Sequence, residues 1–158
     1  MVWETLKDSL IFIDLDAKTT DDVFETLGGA LTEQGYGKES YVQALKDREK
    51  DYPTALDVNG FGIAIPHTAV DHVNKEGTCI AILKDTVRFV EMGSDDDPVD
   101  VKAVFMLCVK DPSAHMDFLQ RLIGILQDNN VLEALKATGS PEEVIEVIKA
   151  KEAELDAA

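Results

Sequence analysis

Apolar residues recur along this chain with two alternating spacings, one of strands and one of helices. Leu10 to Leu15 (LIFIDL) is a short apolar and aromatic run that predicts a first strand, followed by the polar break Asp16-Ala17-Lys18. Helical spacing then takes over. Val23, Phe24, Leu27, Ala30 and Leu31 share one face, Thr19 or Thr20 supplies a cap, and Asp21 and Asp22 suit the positive end of the helix dipole. Gly28-Gly29 inside that helix costs about 1 kcal/mol per glycine relative to alanine, which predicts close packing or a distortion there. Gly35 and Gly37 end the helix, and Lys38 to Asp51 predicts a second one with Tyr41, Val42 and Leu45 on one face.

The next apolar run stops abruptly. After Tyr52-Pro53-Thr54-Ala55-Leu56, the residues Asp57-Val58-Asn59-Gly60 read as a loop leading into a strand at Ile63 to Ile65. Pro66 has no N–H for a sheet ladder, so regular pairing should end just before His67 and leave an imidazole at the rim of the fold. Thr78 to Leu83 and Thr86 to Val90 are two short strand candidates, and Met92 to Pro98 is an acidic turn. Val99 to Val109 first alternates and then turns continuously apolar, as in a strand entering a sheet covered on both faces. Asp111-Pro112-Ser113 is a turn with a ready cap for a helix over Ala114 to Gln127, which puts His115 in the first turn. Further helices are predicted over Asn130 to Ala137 and Glu142 to Leu155, the latter with Ser140 as cap and Pro141 at its first position. The tail Asp156-Ala157-Ala158 is expected to fray. The mixture implies an α/β layered fold with a central sheet of about four to six strands. With 158 residues and no repeat or composition shift, one domain over 1-158 is expected.

Charge changes the picture most. The chain carries 31 acidic against 15 basic residues, a net charge of −16, which sets nucleic acid and anionic lipid aside as partners. Basic or neutral proteins are favoured instead. The N-terminus has neither the basic region nor the apolar core of a secretory signal, and no run is long enough to span a membrane, so a cytoplasmic location is expected. Cys79 and Cys108 stand far apart inside apolar runs, which predicts buried thiols rather than a disulfide or CxxC site.

Three histidines carry the candidate chemistry: His67, His72 and His115. Imidazole titrates near neutrality and serves as nucleophile, proton carrier or metal ligand. No GxSxG elbow is present, and the histidine spacing matches no HExxH or cysteine-rich zinc pattern. The aspartates of Met92 to Pro98 lack the glycine and glutamate spacing of a calcium loop. Taken singly, His67 is also a strand-end residue for a backbone carbonyl to satisfy, and Arg48 is also a helix C-terminal cation.

Context decides between these. Arg48-Glu49, then Tyr52-Pro53-Thr54, then Gly62-Ile63-Ala64-Ile65-Pro66-His67 resembles the phosphohistidine signature of the phosphotransferase system (PTS) IIA domains of the fructose and mannitol type. The likeness extends over nearly the whole chain. Arg48 to Thr54 and Val104-Phe105-Met106-Leu107 look most like the galactitol IIA branch. The resemblance implies a mixed sheet flanked by helices, phosphorylation of His67, a second active-site histidine at His115, and Arg48 at the phosphate site. His72 falls outside the pattern and reads as a surface histidine, and Thr54 as a turn residue.

The same resemblance implies a phosphoryl carrier for sugar or polyol transport, accepting from HPr and donating to a cysteine of a separate IIB protein, with a membrane IIC partner and no metal or organic cofactor. An apolar patch around Ile65 and Pro66 is the expected docking surface. Two alternatives stay open: a regulatory, nitrogen-type IIA protein, and a metal-dependent hydrolase built on the histidines.

Overall fold

The apolar periodicities resolve into a five-stranded mixed sheet covered by helices on both faces, in a computed structural model that describes residues 1–157. The strands are β1 (Ile11–Leu15), β2 (Ala55–Val58), β3 (Phe61–Ala64), β4 (Gly77–Val90) and β5 (Pro98–Cys108). They lie in the order β1-β4-β5-β3-β2, with β1/β4 and β3/β5 parallel and the other neighbours antiparallel. Two parallel pairs place β3 and β5 side by side, so the chain leaves both at the same end of the sheet. That end holds His67 and His115.

Side-chain alternation along the central strands explains why they read as continuously apolar. Cys79, Ala81 and Leu83 of β4 and Val104, Met106 and Cys108 of β5 belong to one core. Ile80 and Ile82 with Ala103, Phe105 and Leu107 belong to the other. The first core is closed by the helical stretch α1 (Thr20–Val23), a π-helical turn (Phe24–Gly28) and α2 (Gly29–Glu33), together with α3 (Tyr41–Asp51). The second is closed by α4 (Pro112–Leu126), α5 (Asn129–Lys136) and α6 (Pro141–Ala157). The N-terminal 3-10 turn Val2–Thr5 joins that second layer, because the fully buried Glu152 carboxylate accepts the Val2 and Trp3 N–H groups and pairs with Arg121.

Several sequence expectations take definite form. Thr19 caps the first helix by accepting the Asp22 N–H. The glycine pair does mark a distortion, since the π-helical turn ends at Gly28. A Cβ on Gly28 would stand 3.0 Å from Val42 Cγ2 and 3.1 Å from Leu45 Cδ1, so α3 packs where the side chain is missing. The two predicted strands at Thr78 and Thr86 are one strand, β4, interrupted by a bulge. Between the pairs Ile82↔Ala103 and Val87↔Val101, β4 takes five steps against two on β5, which is where the polar Lys84-Asp85-Thr86 lies.

Three expectations are corrected. The stretch Asp57-Val58-Asn59-Gly60, expected as a loop, is half strand: β2 pairs with β3 through a hairpin whose Asn59 and Gly60 both have positive φ (51° and 90°). Asn-Gly is a strong signal for a two-residue turn of that hand. The strand before the histidine is Phe61–Ala64 rather than Ile63 to Ile65. Helix α6 also continues through Asp156 and Ala157, where fraying was expected, while Ala158 lies outside the described residues.

Candidate functional site

His67 stands where β3 runs out. The last tie of this segment to β5 is the Leu107 N–H donating to the Pro66 carbonyl (2.9 Å), after which the chain turns out of the sheet. The His67 ring is half-buried, and its Nδ1 lies 3.0 Å from the Ile65 carbonyl oxygen. A carbonyl only accepts, so Nδ1 carries the proton and the lone pair of the neutral ring sits on Nε2. The sheet therefore sets the tautomer as well as the position.

His115 arrives from the neighbouring strand. Just past β5, Asp111 caps α4 by accepting the Ser113 N–H (3.0 Å) and hydroxyl (2.9 Å), and the His115 N–H donates to the Asp111 carbonyl. Glu76, beside the start of β4, accepts the N–H groups of Lys110 (2.6 Å) and Asp111 (2.8 Å) and so fixes the strand-to-helix turn. The two imidazoles meet with ring centroids 5.2 Å apart and planes inclined by 50°.

Arg48 occupies the last turn of α3, where the helix dipole favours a cation. Its guanidinium lies 5.0 Å from the centre of the Tyr52 ring, and its buried Nε has no hydrogen-bond partner among the described residues. The next residue, Glu49, accepts both the N–H (2.8 Å) and the hydroxyl (2.9 Å) of buried Thr54, tying the end of α3 to the start of β2. Thr54 is thus a fastening and not only a turn residue.

The electrostatics agree with this grouping. Burial holds the His67 pKa below its ordinary value, with the charge of Arg48 and the neighbouring His115 acting the same way against the Ile65 bond. Burial also lowers His115, with Arg48 adding to it and Glu76 opposing it. Both rings are therefore neutral at pH 7, beside a permanent cation. Burial pushes the Glu49 carboxyl up to about 7, against the Thr54 bonds and the Arg48 charge. Burial also raises the Cys108 thiol to about 12 and leaves both cysteines as unreactive core residues, as the sequence predicted.

Residues 4–151 match the family described as phosphoenolpyruvate-dependent sugar phosphotransferase system, EIIA 2. The chain belongs to that family. A mannitol-specific EIICBA component of Escherichia coli (strain K12) is 33% identical over 141 residues, 87% of this chain but 21% of the relative, so the chain spans about a fifth of the mannitol components it matches. A galactitol-specific EIIA component of the same strain is 27% identical over 82% of this chain and 83% of its own length. Among solved structures, the complex of enzyme IIAMTL and phosphorylated enzyme IIBMTL from Escherichia coli matches with a TM-score of 0.77 and 32% identity, over 92% of this chain and 97% of the other. The nitrogen regulatory protein IIA-Ntr from Neisseria meningitidis shares the fold at a TM-score of 0.74 and 24% identity, over 93% and 98% of the two chains.

One sequence expectation about this IIA chain needs correction. The two residues on which the expected docking patch was centred, Ile65 and Pro66, are both buried, Ile65 with only 1% of its surface accessible. A buried side chain has nothing to offer a partner. His72, read as a surface histidine, is partly exposed at the surface, with its Nδ1 2.8 Å from the Ser40 hydroxyl. It does not join His67 and His115, and among the described residues no three His, Cys, Asp or Glu side chains are grouped to hold a metal ion. Sequence reading missed Glu76 and the Ser40–His72 pair; no local pattern marks either, since both bonds span more than 30 residues. Among the described residues, no helix is long and apolar enough to cross a membrane.

Proposed function

We propose that this chain is the phosphoryl carrier of a sugar or polyol phosphotransferase system, with His67 as the phosphorylated residue and His115 and Arg48 as its catalytic partners. The observation that carries the reading is the Nδ1 bond of His67 to the Ile65 carbonyl (3.0 Å), which leaves Nε2 as the nucleophilic nitrogen. Nε2 attacks the phosphorus of a phosphohistidine on the donor HPr. The new N–P bond forms as the donor's N–P bond breaks, and the donor imidazole leaves with that electron pair. In the second step, a cysteine thiolate of the IIB partner attacks the same phosphorus and releases the neutral His67 ring.

Phosphoryl transfer leaves little covalent work to other side chains, so positioning and charge dominate. Arg48 supplies a cation whose buried Nε–H lacks a partner among the described residues, which suits it to a dianionic group. Neutral His115, 5.2 Å away, has an N–H to give to a phosphoryl oxygen. The lowered His67 pKa favours the nucleophilic form at neutral pH.

In place of Ile65 and Pro66, we assign the docking surface to Tyr52 and Met116, exposed at 63% and 54% and adjoining Arg48 and His115. Asp47, Asp51 and Asp117 border them, which suits an apolar partner surface with a basic rim. The match to a galactitol-specific EIIA component over 83% of that relative's length supports a polyol system with IIB and the membrane IIC on other chains, and a cytoplasmic site of action.

The test is incubation with phosphoenolpyruvate, enzyme I and HPr, followed by assay for an acid-labile, base-stable phosphate. Label on wild type and none on His67→Ala is expected, with onward transfer to IIB. Full labelling of His67→Ala would overturn the site assignment. Labelling without transfer to any IIB would favour the regulatory reading.

A further inference from the structure

His72 and Ser40 are absorbed by nothing above, yet each is spent in an unusual way. Ser40 stands at the N-cap of α3, where a serine oxygen ordinarily accepts an N–H of the first turn. Here it makes no such bond. Its backbone is already helical (φ −78°, ψ −6°), and its hydroxyl is 2.8 Å from His72 Nδ1. The helix forgoes a cap to reach another segment.

That segment is the one that begins with His67. From His67 the chain passes Thr68 and Ala69, makes the 3-10 turn Val70–His72, and enters β4 at Gly77. His72 is held twice, by the Ser40 hydroxyl at its ring and by the Lys38 N–H donating to its carbonyl (2.9 Å). On α3, Ser40 lies eight residues before Arg48, about two helical turns and roughly 12 Å along the axis. Between the two segments lies a cleft of about 390 Å³, lined by Ser40, Arg48 and Tyr52 on one side and by Thr68, Ala69 and His72 on the other. The His72–Ser40 contact closes the end of this cleft remote from Arg48.

We propose that Ser40 and His72 form a positioning pair for phosphoryl transfer, fixing the helix that bears Arg48 against the loop that bears His67. Neither residue touches the phosphoryl group. The inference rests on the phosphocarrier reading for its kinetic consequence, although the geometric part stands without it. Phosphoryl transfer depends on charge placed to within a fraction of an ångström, so loosening the cleft lowers the rate of the chemical step and leaves donor docking unchanged. The Lys38–His72 backbone bond survives any side-chain change, so variants stay folded and lose only the link between the His72 ring and Ser40.

The test is single-turnover transfer from phosphorylated HPr, resolved into a maximum rate and a half-saturating donor concentration. His72→Ala and Ser40→Ala should each lower the maximum rate about ten-fold with half-saturation unchanged. The double variant should be no slower than either single one, because both remove the same contact. His72→Asn, whose amide reaches where Nδ1 stood, should recover most of the rate. Unchanged rates, multiplying losses or failure of His72→Asn to recover would each overturn the proposal. The ¹⁵N–¹H signal of Arg48 Nε in the unphosphorylated protein should shift in His72→Ala and return in His72→Asn. Wild type that takes no phosphate at all would defeat the phosphocarrier reading, and the Arg48 signal would still decide whether the pair positions that side chain.

Discussion

His67 and His115 are the same kind of side chain at the same end of the sheet, but the fold holds them differently. His67 follows a strand paired on both sides, and its ring is bonded to the carbonyl two residues back. His115 stands in the first turn of a helix, and what is fixed there is the turn beneath it, through Asp111 and Glu76. Burial lowers both pKa values. Only the first ring, among the described residues, has its tautomer chosen by a backbone carbonyl. A group that must attack along one line benefits from a fixed tautomer, and a group that follows charge as it moves benefits from rotational freedom.

The sharpest way to break this contrast is to delete each ring. His67→Ala should lose all phosphate incorporation, because no other nitrogen occupies that place; His115→Ala should still accept, with transfer to the IIB cysteine slower by about 10²-fold, as expected for one missing donor to a developing charge. Equal and complete loss in both variants, measured by rapid-quench labelling, would show that the rings share one role. Arg48→Lys comes next. Lysine keeps the charge but loses the planar guanidinium that lies over the Tyr52 ring, so transfer should slow by about ten-fold while the fold, followed by thermal melting, is retained.

The difference between the two histidines was half legible in the sequence. Pro66 announces where pairing stops, and the Asp-Pro-Ser turn announces the helix, so both were placed at element ends from local chemistry alone. What local chemistry does not carry is the third dimension. Ile65 looks like an apolar residue beside an active site, and only the second helical layer, with Leu122 and Leu126 of α4 in the same core, shows that it is covered. Ser40 lies inside the predicted helix Lys38 to Asp51, and nothing local shows that the loop 32 residues later engages its hydroxyl. The β2 strand is hidden for a different reason: Asp57-Val58-Asn59-Gly60 reads as one loop, although its Asn-Gly pair fixes a hairpin and thereby the approach to His67.

A smaller pH effect separates the histidines from their carboxylate neighbour. Because His67 and His115 are lowered in the fold, the unfolded chain binds protons more readily at those sites, and their contribution makes stability fall as pH drops below about 6.5. Glu49 works in the opposite direction. Its folded pKa is raised to about 7 from an ordinary 4.5, so the folded chain binds the proton more readily, and its contribution makes stability fall as pH rises through that window. The two slopes oppose each other around pH 6. Glu49→Gln keeps an oxygen to accept from Thr54 and removes the titration, leaving the histidine slope uncompensated. Melting temperatures at about pH 5 and about pH 8 should then differ by a few degrees more in the variant than in wild type, in the direction of greater acid loss. A variant whose melting temperature tracks wild type across that range would mean that burial does not hold the Glu49 proton, and that the end of α3 carrying Arg48 is wetter than its packing implies.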